Sequence, residues 1–225
     1  MTDFSLPIPP TSTIALSFPE KHVLLLTFNR PKALNVLTQT MEEEIGRAMD
    51  WFEKEPSLGV VIVTGAGPAF CAGGDIKAVL RQINVGAELV GSLFYGTTAN
   101  GFGALSRRSK TTKPIIAAVN GLAFGGGMEI VLNCDIVIAS EKATFGAVET
   151  SKGLVGIHGG IPRLSRIAGH QLASEAYLMS RIISAQEAYE RFHFVNRVVP
   201  LPNLLNEVLE TARVIIERLP RRSKL

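Results

Sequence analysis

Three short stretches, residues 58–64, 114–119 and 135–139, are apolar at consecutive positions instead of alternate ones. A strand reads that way when both of its faces are covered, as in a parallel sheet flanked by helices. Segments with helical spacing lie between them. In residues 39–54, Met41, Ile45, Ala48, Met49 and Phe52 recur every three or four positions, and Thr40 with Glu43 reads as the capping box of that helix. Residues 12–18 and 22–29 read as two further strands, the second stopping at Asn29-Arg30-Pro31. Helices are expected near 75–82, 88–108, 128–132, 162–168, 171–180, 185–190 and 204–219, with a last short strand at 194–199. Strand, glycine-containing loop and helix recur in that order three times, which predicts an α/β architecture. Residues 1–11, with Pro7, Pro9 and Pro10, read as a flexible N-terminal arm.

The chain has 225 residues, 46% apolar and 19% charged, enough for one core or at most two small ones and too apolar for a disordered chain. No apolar run approaches the roughly 18 residues of a membrane span. The opening MTDFSLPIPPTSTIA lacks the basic-then-apolar pattern of a secretory signal. The net charge is +3, but Arg213, Arg218, Arg221, Arg222 and Lys224 crowd into the last thirteen residues against Glu217 alone. The rest carries one more acid than base, which argues against nucleic acid as a partner. Cys71 and Cys134 sit among apolar neighbours and read as free thiols, with no metal-ligand spacing.

Two segments share one design. Ala69-Phe70-Cys71-Ala72-Gly73-Gly74-Asp75-Ile76 and Gly125-Gly126-Gly127-Met128-Glu129 each run from small residues into an expected helix. First-turn N–H groups lack an intrahelical partner and stabilise negative charge, so two such loops facing each other would form an oxyanion hole. The alternative is a tight turn with close helix packing. Neither loop fits a nucleotide-phosphate signature. Glu129 falls in a largely apolar helix, where a carboxylate is costly unless it is hydrogen-bonded or used; the competing reading turns it outward at a cleft rim. Glu149, twenty residues on, could return beside it after a strand and a turn, as a paired acid–base device or as an ordinary surface glutamate. His158 reads as a structural loop histidine that could reach a pocket. The cluster Arg107, Arg108, Lys110 and Lys113 is either a solvated face or a phosphate contact. Ser180 and Ser184 lie in no nucleophile elbow.

Asn29-Arg30-Pro31-Lys32-Ala33-Leu34-Asn35, residues 69–77, and the run from Lys113-Pro114 through Gly125-Gly126-Gly127-Met128-Glu129 to Cys134-Asp135 stand in an order and at a spacing that resemble the signatures of the enoyl-CoA hydratase/isomerase (crotonase-like) superfamily, over residues 12–218. The resemblance implies a crotonase-like (ClpP/crotonase) spiral core of repeated β-β-α units over residues 12–200. Residues 201–225 would begin a C-terminal helical region, shortened against the family. It implies oxyanion donors at the N–H groups of Gly74 and Gly126, acid–base glutamates at Glu129 and Glu149, and coenzyme A held along Lys32, Ala33, Ala72, Asp75, Ile76 and Lys77. Coenzyme A would be part of the substrate, with no separate cofactor and no metal. The implied activity is an enoyl-CoA hydratase that adds water to a 2-enoyl-CoA. The alternative is an isomerase or another acyl-CoA enzyme of this fold acting on a branched or unusual acyl group, and a non-catalytic CoA-binding protein ranks below both. The resemblance also implies a homotrimer or hexamer, if the C-terminal helices through which family members assemble exist here. One loop departs from the family's Pro-Gly-x-Gly-Gly-Thr-Gln-Arg-Leu: here it is Gly156-Ile157-His158-Gly159-Gly160-Ile161-Pro162-Arg163-Leu164, which predicts a changed acyl pocket. Ser223-Lys224-Leu225 matches a peroxisomal address, with cytoplasm or mitochondrion as the other compartments.

Overall fold

The computed structural model describes residues 4–75, 100–153 and 155–218. The consecutive apolar runs form the middle of a six-stranded sheet made of β1 (Ile14–Ser17), β2 (Val23–Phe28), β3 (Val60–Gly65), β5 (Ile115–Val119), β7 (Ile136–Ser140) and β10 (Arg197–Val199), in the order β1-β2-β3-β5-β7-β10. The β1–β2 pair is antiparallel and every other pair in this sheet is parallel. Alternate residues of the central strands enter two different cores. Val61, Val63, Ile115 and Ala117 pack with Met41, Ile45 and Phe52 of α1 (Gln39–Lys54). Val60, Ile62, Ile116 and Ala118 pack with Leu204, Val208 and Ala212 of α6 (Leu204–Arg218). Both faces are therefore dry, and the sequence of such a strand has no polar side to alternate with.

What reads as glycine loop contains more structure than its composition suggests. A second sheet, ordered β4-β6-β8-β9, is built from β4 (Ala69–Cys71), β6 (Leu122–Phe124), β8 (Thr144–Gly146) and β9 (Ile182–Ser184). Three of the parallel strands of the large sheet hand the chain to a short strand of the small one: β3 to β4, β5 to β6, β7 to β8. The second of these pairs continues into α2 (Gly126–Val131). This is the repeated β-β-α arrangement that the family resemblance implied. The strands of the small sheet have three residues each, too few for a period to be visible.

Several boundaries differ from the sequence reading, each for a local reason. The cap of α1 is Thr38, whose hydroxyl accepts the Met41 N–H at 3.3 Å; Thr40 already lies inside the helix. The expected helix near 75–82 and the first part of 88–108 lie outside the described residues. The described part of the latter holds a 3-10 turn, Phe102–Ala104, because Gly103 and Ala104 take left-handed φ values of 58° and 51° that no α-helix continues through. The final strand starts at Arg197, not 194, since Phe194 donates its N–H back to Ala188 on α5 (Ala185–Glu190) while Asn196 donates to Val137 O and accepts from Val137 N. Of the segment expected as a flexible arm, residues 4–6 are tied down. Phe4 packs on Phe18 and Trp51, the Leu6 N–H and Ser5 hydroxyl donate to Glu55, and Trp51 Nε1 donates to Leu6 O. Cys71 and Cys134 are free, and burial pushes the Cys71 thiol up to about 12. No described helix is long and apolar enough to cross a membrane.

Candidate active site

The first glycine segment is fixed by pairing. Ala72 N donates to Leu34 O at 3.0 Å, Leu37 N to Gly73 O at 2.8 Å and Asp75 N to Leu37 O at 3.3 Å, so residues 34–37 and 72–75 run side by side. Asn35 locks the turn before them. It is fully buried with φ of 55°, its Oδ1 accepts the Arg30 N–H, and its Nδ2 donates to Ala66 O and Ala69 O. Exposed Lys32 and half-buried Ala33 immediately precede this paired stretch, in a 3-10 turn (Pro31–Ala33). Ile76 and Lys77 lie outside the described residues.

The second segment lies against the first. A Cβ on Gly127 would sit 2.3 Å from Cys71 O, so only glycine lets the first turn of α2 lie on β4. A Cβ on Gly73 would come within 3.4 Å of Gly126 N. One ring touches both loops: a Cβ on Gly74 would meet Phe102 Cε1 at 3.2 Å, and one on Gly126 would meet Phe102 Cγ at 3.0 Å. Gly74 and Gly126 therefore flank the same ring. Gly126 opens α2, so its N–H has no partner within the helix.

Glu129 follows in the same helix and is 1% exposed. Its Oε1 accepts the N–H groups of His158 (3.0 Å) and of Gly160 (3.1 Å), which opens α3 (Gly160–Ala168), while its Oε2 is buried without a hydrogen-bond partner among the described residues. Burial pushes its pKa up to about 7, reinforced by the Glu149 charge and opposed by the two N–H groups and the more distant Arg163. Glu149 stands after β8, at the start of a 3-10 turn (Thr150–Lys152) that is pinned by Thr150 Oγ1 donating to Tyr177 O at 2.6 Å. It returns to α2: a Cβ on Gly125 would lie 3.1 Å from Glu149 Oε1. A Cβ on Gly156 would lie 3.5 Å from Oε1 of both Glu129 and Glu149, so those two oxygens are within twice that distance of each other. Glu149 Oε2 is also buried and unpartnered among the described residues, and burial raises its pKa too.

Of the open sequence readings, Glu129 turns inward and Glu149 is the neighbour that could have been a surface glutamate. His158 is 2% exposed; its backbone holds Glu129 and its ring meets Phe102 edge-on at 4.4 Å. Two of the four clustered basic residues serve α1: Arg108 pairs with Asp50 at 2.7 Å, and Lys113 donates to Phe52 O and Glu55 O at 2.6 Å. The sequence reading missed Phe102 and Tyr177. Phe102 had a signal, an aromatic residue between two glycines. Tyr177 had none: its ring edge lies 3.5 Å from a Cβ on Gly156 because α4 (His170–Leu178) packs there.

Residues 19–225 match the family described as enoyl-CoA hydratase/isomerase. Among curated relatives, a mevalonyl-coenzyme A hydratase of Aspergillus fumigatus is 43% identical over 214 residues, 94% of this chain and 76% of the relative. A mitochondrial enoyl-CoA hydratase of Pongo abelii is 38% identical over 85% of this chain and 62% of its own length. Among solved structures, an enoyl-CoA hydratase from Bacillus anthracis superposes with a TM-score of 0.80 at 34% identity, covering 92% of this chain and 78% of that one.

Proposed function

The chain belongs to the enoyl-CoA hydratase/isomerase family of enzymes, and from that premise we propose that it adds or removes water across C2–C3 of an acyl-CoA whose acyl group is branched and hydroxylated, of the mevalonyl kind. The observation that carries the chemistry is the pair of carboxylates Glu129 and Glu149, each with one buried oxygen unpartnered among the described residues and both bordering the Gly156 position. Two such groups at close quarters favour holding one proton between them near neutrality. Hydration needs that state. The ionised carboxylate takes a proton from water as its oxygen attacks C3, and the protonated one delivers a proton to C2. We assign water activation to Glu129 and the C2 proton to Glu149. The N–H groups of Gly74 and Gly126 polarise the thioester oxygen and stabilise the enolate-like charge that builds there. Lys32, Ala33, Ala72, Asp75, Ile76 and Lys77 are the proposed coenzyme A contacts.

Two findings support the acyl group: the 43% identity to a relative named for mevalonyl-coenzyme A, and the departure of residues 156–164 from the family pattern beside Glu129. A mevalonyl group carries a methyl and a hydroxyl on C3 and a hydroxyl on its far end, bulk and polarity that a straight enoyl chain lacks. Plain 2-enoyl-CoA hydration is the second reading, favoured by the relatives from Pongo abelii and Bacillus anthracis. The mitochondrial name of the first of these supports a mitochondrial over a peroxisomal setting, and a trimer or hexamer belongs to the same proposal. The test is spectrophotometric: conjugated-thioester absorbance should grow with mevalonyl-CoA and fall with crotonyl-CoA, the former at the higher kcat/KM. Equal or better turnover of crotonyl-CoA would return the assignment to a plain hydratase. Turnover of either that survives both Glu129→Gln and Glu149→Gln would remove the mechanism.

A further inference from the structure

We propose that Phe102 sets which acyl groups this site accepts, and that Glu42, a buried carboxylate with no part in the chemistry above, is the positioning residue that holds Phe102 in place. The inference rests on the acyl-CoA reading and extends it to the acyl pocket. The Phe102 ring lies along both glycines assigned to the thioester oxygen: its Cγ end faces Gly126 and its Cε1 and Cζ end faces Gly74. Its opposite contact is the His158 ring, 4.4 Å away and edge-on, on the loop whose backbone holds Glu129. The ring therefore stands where the acyl group leaves the carbonyl, between the oxyanion side and the carboxylate side. Substituents at C3 pack on it, and an extended chain has to pass it.

The ring is held by a built loop. Gly101 (φ 75°) and Gly103 (φ 58°) flank it in left-handed conformations, and Ala104 follows at φ 51°, costly for a residue with a Cβ. Gly103 is wedged: a Cβ there would lie 2.9 Å from Ile130 Cδ1 on α2 and 3.5 Å from Leu37 Cδ2. Its N–H is taken by Glu42 Oε1, 3.2 Å away, from the first turn of α1. Glu42 is 8% exposed and burial raises its pKa. A carboxylate in that environment is costly unless something in the fold requires its acceptor. Here it fixes the residue next to Phe102.

The test compares binding of butanoyl-CoA and decanoyl-CoA, saturated thioesters that the proposed reaction cannot consume, by calorimetry on the full chain. Phe102→Ala should shift the affinity ratio at least tenfold toward decanoyl-CoA, and the milder Phe102→Leu severalfold in the same direction. Glu42→Met, similar in length but without an acceptor, should shift it about threefold, whereas Glu42→Gln, whose amide oxygen still accepts from Gly103, should keep the wild-type ratio. A ratio within twofold of wild type in both Phe102 variants overturns the selectivity role. Matching behaviour of the Met and Gln variants at position 42 overturns the positioning role. Wild-type protein that binds these thioesters but turns over neither mevalonyl-CoA nor any 2-enoyl-CoA would count against the proposed function and leave this inference standing; failure to bind either thioester would overturn both.

Discussion

Glu55, at the end of α1, and Glu129, in α2, are almost equally withdrawn from water, at 0% and 1% exposure, yet their carboxyls titrate in opposite directions. Burial pushes Glu55 up, but four donors outweigh it and hold the pKa at about 2: the N–H and hydroxyl of Ser57 on one oxygen, the Leu6 N–H and Ser5 hydroxyl on the other. Glu44 repeats the pattern with Ser12 and Thr13 and is likewise held at about 2. Glu129 has two donors, both on one oxygen, and sits at about 7. Two things differ: both oxygens of Glu55 and Glu44 are supplied with donors, whereas Glu129 has donors on one oxygen only and its carboxyl is packed more deeply among protein atoms. Saturated carboxylates tie the N-terminal segment to α1. The half-satisfied ones keep an oxygen for a ligand and a proton to exchange.

The largest effect that would sharpen this contrast is on turnover. Glu129→Gln and Glu149→Gln should each lower kcat by about 10²–10⁴-fold, the usual range for a lost acid or base, with circular dichroism unchanged; a loss under tenfold in both would erase the functional side of the comparison. Stability should move the other way. The folded-state pKa of Glu129 lies above the ordinary 4.5, so the proton it retains stabilises the fold at acid pH. That contribution is lost as pH rises from about 4.5 through about 7. Glu129→Gln keeps the acceptor for His158 and Gly160 and removes the buried charge. At pH 8 it should be more stable than wild type by up to about 3 kcal/mol, and at pH 4 nearly equal. Urea denaturation at the two pH values reads both.

How much of this was legible beforehand depended on the length of the signal. Residues 39–54 spell four turns of one helix face, and α1 spans Gln39–Lys54. The dry strands announced themselves because each of their residues enters one of two cores. Three-residue strands such as Leu122–Phe124 left no such trace. At the site, Glu129 was conspicuous because a carboxylate in Met128-Glu129-Ile130-Val131-Leu132 conflicts with its surroundings. Glu149 has no such conflict in Thr144-Phe145-Gly146-Ala147-Val148-Glu149, and its return to Gly125 is a product of sheet topology. Glu42 and Glu44 look like solvent residues in a run of acids, Glu42-Glu43-Glu44. Their burial follows from partners 31 to 61 positions away, a separation that no local pattern encodes.

The saturated carboxylates supply the smaller effects. Glu44→Ala removes the acceptor of four hydrogen bonds at once and should cost about 2–3 kcal/mol at pH 7. Because the folded-state pKa of Glu44 is depressed, its contribution is present above about 4.5 and lost as pH falls toward about 2, so variant and wild type should converge near pH 2. That window is the mirror image of the one for Glu129. Ser12→Ala is the finest cut. It deletes the 2.6 Å hydroxyl bond to Oε1 and leaves the Ser12 N–H at 2.9 Å and both Thr13 donors in place. It should cost about 1 kcal/mol and raise the Glu44 carboxyl part of the way toward 4.5, as read by carbon-detected NMR titration of the side chain. If donors set the direction, removing them stepwise, Ser12→Ala and then Thr13→Ala, should raise that pKa stepwise toward the behaviour of Glu129. A pKa that stays near 2 after both changes would mean that something other than hydrogen-bond number separates the two regions, and the reading of Glu129 as a poised, half-satisfied carboxyl would lose its internal control.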